Sequence, residues 1–108
     1  MSKIVYNKLV RDKIPEIIEA DGKKPCCRVL NKDELLPLLC KKLSEEVNEY
    51  LESGEIEELA DIAEVLHALS AQSGASWETV EQIRLKKAAE RGGFEKGILL
   101  ENVETKEE

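Results

Sequence analysis

Between Asn31 and Ser53 the apolar residues Leu36, Leu39, Leu43, Val47 and Tyr50 recur at spacings of three and four. That is the period of an amphipathic helix. Asn31 or Asp33 opens it, Glu34 stands three after Asn31 as in a capping box, and Pro37 falls early enough to be tolerated. This helix is predicted to run to Ser53-Gly54. A second helical pattern covers about 55–73, with Ile56, Leu59, Ile62, Ala63, Leu66 and Leu69 on one side and Gly74 at its end. Ser76 is expected to cap a further helix over 77–91, stopped by Gly92-Gly93. A short first helix is predicted over about 12–21, capped by Asp12, with Pro15 in its first turn and Asp21-Gly22 as its stop. Residues 25–30 read as an extended segment, and residues 94–103 as extended or irregular. Short connections between consecutive helices imply antiparallel neighbours. The expected fold is all-α, an antiparallel bundle of about four helices, in one domain over 1–108 with an acidic tail at 101–108.

The polar positions change this picture more than the apolar ones do. Glu45, Glu46 and Glu49 lie on the long helix, and Glu58 and Asp61 on the next, with eight residues between Glu49 and Glu58. Residues three or four apart are neighbours on a helix surface. At about 100° per residue, Glu46 falls on the flank of the apolar stripe beside Leu39 and Leu43, with Glu49 and Glu45 further round. Glu58 and Asp61 continue into Val65 and Ala68 at spacings of three, four and three, so their row faces protein rather than water. Carboxylates gathered from two helices repel and shift one another's pKa unless a cation sits among them. Hard divalent cations prefer carboxylate oxygen, and Mg²⁺ keeps positions open for water and substrate phosphate. The pattern therefore predicts a Mg²⁺ site between two helices. A chain this rich in charge also produces acidic helix faces with no metal, and one Glu pair alone would carry no more than that.

Composition narrows the partners. A net charge of −7 argues against a nucleic-acid polymer as ligand. It leaves a nucleotide open, because a bound metal inverts the local field. Four aromatic residues among 108 make a thin core, so part of the apolar surface is expected to be buried against another copy, in a homodimer or homotetramer. Met1 to Tyr6 carry no signal-peptide core, and no apolar run approaches the ~20 residues that span a bilayer. Three cysteines, two of them adjacent at Cys26-Cys27, with the single His67, make a zinc finger a poor reading. Reduced thiols in a cytoplasmic protein are the expectation. Cys40, near the apolar stripe, is expected in the core.

The run Glu45-Glu46-Val47-Asn48-Glu49 followed by Glu58-Leu59-Ala60-Asp61 resembles the E-E-x-x-E and E-x-x-D signature of the MazG-like all-α nucleoside triphosphate pyrophosphohydrolases. Tyr6 to Ile18, reading Y-N-K-L-V-R-D-K-I-P-E-I-I, is similar to the N-terminus of a small phosphoribosyl-ATP pyrophosphohydrolase-like branch. Lys87 to Arg91 with Gly92-Gly93-Phe94 is similar to its C-terminal end. The resemblance covers about residues 4–95. It implies Mg²⁺, with Mn²⁺ as the alternative, held by Glu46, Glu49, Glu58 and Asp61. It also implies cleavage between the α- and β-phosphates of a nucleotide, with Glu45 orienting or deprotonating water. Glu45 and Glu46 are thus the catalytic candidates. The spacer between the acidic motifs is shorter than is usual in MazG proper, which implies a tight turn and no inserted substrate-covering element.

A triphosphate also needs cations. On the fourth helix the face begun by Trp77, Val80 and Ile83 continues as Arg84, Lys87 and Arg91. Basic residues in a last turn complement the helix dipole; the resemblance adds phosphate binding for Lys87 and Arg91. Lys8, Arg11 and Lys13 precede the first helix. They are either solvated or ion-paired to a neighbouring acid, or they contact phosphate. The function expected from these residues is Mg²⁺-dependent nucleotide pyrophosphohydrolysis, removing non-standard or surplus nucleotides. The alternatives are a phosphoribosyl-ATP pyrophosphohydrolase of histidine biosynthesis and a non-catalytic helical module that binds nucleotide or a protein.

Overall fold

A computed structural model of the chain describes residues 2–106. The fold is all-α: four helices in the order α1 (Ile14–Ala20), α2 (Lys32–Ser53), α3 (Ile56–Gln72) and α4 (Trp77–Arg91), with no strand among the described residues. The chain divides into two compact units, one ending at Ser76 and the other beginning at Trp77. Glu107 and Glu108, the end of the acidic tail, lie outside the described residues; Glu101 to Lys106 have no regular structure.

Within the first unit α2 and α3 pack against each other. The sequence sets the ends of α2. Asn31 is the N-cap: its side chain accepts from the Glu34 amide at 2.9 Å, and the Glu34 carboxylate accepts from the Asn31 amide at 3.4 Å. Both bonds satisfy amides that the first helical turn leaves without carbonyl partners. Arg28 adds a bidentate pair to Glu34, at 3.1 and 2.7 Å, which ties the preceding irregular segment to the start of α2. At the other end Gly54 takes the left-handed conformation, φ 67°, and its amide bonds the Tyr50 carbonyl at 2.7 Å. A side chain at this φ would be strained, so glycine is what lets α2 stop there. With only Gly54 and Glu55 between them, α2 and α3 form the tight hairpin that the short spacer implied.

Three expectations need correction. Asp12 does not cap α1; the N-cap is Lys13, with no side-chain cap, although Pro15 does sit in the first turn. Residues 25–30 are irregular, without strand pairing. Cys40 is exposed rather than in the core, and all three thiols are free.

The core is small, and on α3 it follows the acidic row expected to face protein more than the apolar stripe beside it. The buried apolar side chains of the first unit are Leu39 on α2 and Val65 on α3. On α3 the buried side is the row containing Asp61 and Val65, bordered by half-buried Ile62 and Leu69. Leu59, Ala63 and Leu66, which also looked like core, are exposed, and Ile56 is 82 % exposed. In the second unit α4 has no buried residue, Arg84 pairs with Glu81 along the helix, and a turn from the Phe94 carbonyl to the Gly97 amide, 3.1 Å, follows it.

Candidate functional site

The hairpin brings the acidic residues together. Glu46 lies in the buried face of α2 with Leu39, not on its flank; its side chain is 9 % exposed. Across from it, α3 presents Glu58 and Asp61, both half-buried. One carboxylate oxygen from each of Glu46, Glu58 and Asp61 lies within 4.8 Å of the other two. An octahedral Mg²⁺ with ligands at ~2.1 Å sets cis oxygens ~3.0 Å and trans oxygens ~4.2 Å apart, so the trio would draw in around an ion on binding it.

Two oxygens in this cluster have no protein partner. Glu46 Oε2 and Glu58 Oε2 are both buried and accept no hydrogen bond. A buried carboxylate oxygen without a donor costs desolvation with nothing returned, so a native structure that keeps one needs a further partner for it. Oxygen-only donors, orphaned lone pairs and net negative charge fit a hard divalent cation. Glu49 is exposed on α2 and outside the trio, but it bears on Glu58. Burial of the Glu58 carboxylate raises its pKa above the ordinary range; the charge of Glu49, a hydrogen bond with Glu49, and the charges of Asp61 and Glu46 push in the same direction. All four proposed ligands therefore interact, three as a compact trio and Glu49 through Glu58.

Cations already sit against the cluster. Arg11 Nη2 donates to Asp61 Oδ1 at 2.7 Å, so of the readings open for Arg11 the ion pair to a neighbouring acid is the one present. Lys42 Nζ lies 3.3 Å from Glu46 Oε1 and 4.0 Å from Glu45. Sequence reasoning passed over Lys42. The signal was there: Lys42 precedes Glu46 by four residues on one helix, within reach of an ion pair.

Glu45 is half-buried, outside the trio, and borders a small notch of about 10 Å³ whose lining includes Asn7, Lys8, Lys41 and Lys42. Asn7 has φ 46°, a left-handed conformation uncommon outside glycine, and this bend brings the N-terminal segment against α2. Lys8 lines the notch, with its ammonium 5.6 Å from the Tyr6 ring. Lys8 and Arg11 are thus both in the first unit beside the acidic residues. Lys87 and Arg91 are exposed on α4, in the other unit.

No helix among the described residues is long and apolar enough to cross a membrane. No family model matches the chain. No solved structure matches it. Over 41 residues the chain is 54 % identical to an uncharacterized protein of Mycolicibacterium smegmatis, a match covering 38 % of this chain and 42 % of that relative's length.

Proposed function

We propose that the chain is a Mg²⁺-dependent nucleoside triphosphate pyrophosphohydrolase, which adds water across the α–β phosphoanhydride to give a nucleoside monophosphate and pyrophosphate. The observation that carries this reading is the carboxylate trio, two of whose members, Glu46 and Glu58, each keep a buried, unpartnered oxygen. An interaction module has no use for carboxylates gathered so closely that the charges of Glu49, Asp61 and Glu46 add to burial in raising the pKa of Glu58. Glu46, Glu58 and Asp61 would hold the metal, with Glu49 joining through a rotamer change from its exposed position. The ion would supply charge neutralisation on phosphate and acidification of water. Glu45, beside the trio and open to the notch, is suited to orient that water and take its proton. Arg11, Lys8 and Lys42 are the cations of the same unit available to phosphate oxygens. The proposal does not depend on Lys87 or Arg91.

The test is pyrophosphate release from a panel of nucleoside triphosphates and phosphoribosyl-ATP, with Mg²⁺, with Mn²⁺ and with chelator. Release that needs the metal is expected for at least one nucleotide and is abolished in Asp61→Asn. Turnover of phosphoribosyl-ATP alone would assign the chain to histidine biosynthesis. No release from any substrate, with Mg²⁺ shown to be bound, would leave the binding module.

A further inference from the structure

Two positive side chains occupy the positions beside the carboxylate trio that a divalent cation would claim. Lys42 is largely covered, its side chain 23 % exposed, and its ammonium lies 3.3 Å from Glu46 Oε1. Arg11 is bonded to Asp61 Oδ1 at 2.7 Å. In the same cluster Glu46 Oε2 and Glu58 Oε2 are buried and accept no hydrogen bond. Glu46 and Asp61 thus each give one oxygen to an internal cation, and Glu46 keeps its other oxygen, buried, for something else.

We propose that Lys42 and Arg11 are exchangeable counter-ions of the cluster: they neutralise Glu46 and Asp61 while the metal is absent, leave those carboxylates when a divalent cation enters, and then bind the phosphates of the substrate. The inference rests on the metal reading above and adds the order in which the chain's own charges are used. One divalent cation carries the charge of the two side chains together, so the exchange leaves the cluster's net charge unchanged. It also releases two long, flexible cations beside the metal, where a polyphosphate would lie. Lys42 borders the notch with Lys8 and Lys41, so an ammonium swinging off Glu46 has a neighbouring cationic wall to join. Arginine released from Asp61 can meet phosphate bidentately. An arginine that served stability alone would gain little from Asp61, because exposed ion pairs contribute little.

The experiment uses the full chain and calorimetric titration with Mg²⁺ alone, then with a non-hydrolysable nucleoside triphosphate at saturating Mg²⁺. Lys42→Met and Arg11→Gln each remove a competitor, so Mg²⁺ should bind about three- to fivefold more tightly than to the parent, the range an ion pair of this kind supports. The same variants should bind the triphosphate analogue more weakly. Lys41→Met removes an equal charge nearby but no pair to the trio; its Mg²⁺ affinity should stay within twofold of the parent, which separates direct competition from general charge. Circular dichroism of each variant checks that the helices persist. Mg²⁺ binding by the parent with no change in Lys42→Met and Arg11→Gln overturns this inference and leaves the metal reading standing. Tighter metal binding with undiminished analogue binding overturns the transfer to phosphate. No Mg²⁺ binding by the parent overturns both.

Discussion

At the scale of single residues, Glu58 has the most exacting environment in the first unit. Its carboxyl is pushed above the ordinary value first by burial, then by Glu49, then by Asp61 and Glu46. A group whose folded pKa is raised adds stability below its unfolded pKa, about 4.3 for Glu, and that stability is lost as pH rises through the folded value. In chelator, Glu58→Gln should therefore gain stability over the parent as pH rises from about 4 towards 7. Glu34 runs the other way. Its hydrogen bond to Arg28 depresses its pKa, so its contribution is lost as pH falls through that lowered value in parent and variant alike. The difference between the two melting curves isolates Glu58; parallel curves across the range would defeat the assignment. Excess Mg²⁺ should reverse the order, because the variant lacks a ligand oxygen and the parent has one to use.

The grouping of Glu46, Glu58 and Asp61 was legible because carboxylates three apart on adjoining helices have few places to go. The choice among the readings of Arg11 was not: an ion pair to an acid was one of them, but an aspartate fifty residues away leaves no local trace. Lys42 had a trace, its spacing of four from Glu46, yet a lysine on an amphipathic helix shows the same spacing whether it is solvated or paired.

At the scale of elements, the ends of α2 are written in its sequence, and the buried face of α3 is written there in part: the row of Glu58, Asp61, Val65 and Ala68, expected to face protein, does so. Asn31 and Glu34 cap each other because the groups that bond are three residues apart, and Gly54 stops the helix because its backbone tolerates positive φ. These are local effects, so sequence suffices. Asn31→Ala should cost about 1 kcal/mol in a denaturant melt, the usual loss for an N-cap side chain. An unchanged midpoint would mean that the Arg28 pair alone holds the start of α2. The face of α3 that turns inward depends on what α2 offers it. Hydropathy favoured the side of Leu59, Ala63 and Leu66, yet α2 presents Leu39 and Glu46 together, and α3 answers with Val65 and the acidic row. Hydropathy ranks the faces of one helix; it carries no term for a carboxylate on the neighbour.

At the scale of the whole molecule, that turn leaves apolar surface uncovered. Leu51 and Ile56 are 74 % and 82 % exposed, and Leu59 and Leu66 of the same unit are exposed as well. Apolar side chains left in water on a helical hairpin are candidates for burial against a second copy. The expected outcome of sedimentation at micromolar concentration is a homodimer or homotetramer, with Leu59→Lys and Leu66→Lys shifting it towards monomer. A monomer at every concentration for the parent chain would mean that this surface serves something other than a second copy.

The glycine turn between α2 and α3 carries a consequence for how the molecule assembles. Glu49 and Glu58 are nine positions apart in the chain, and Glu46 and Asp61 fifteen. Closing loops of that length takes little entropy and, in a flexible chain, happens in well under a microsecond. The acidic centre is therefore not the late product of a finished fold but forms as soon as the hairpin closes. Its mutual repulsion must be met at that first step, by Lys42 from within the same hairpin, before Arg11 or any distant segment has arrived.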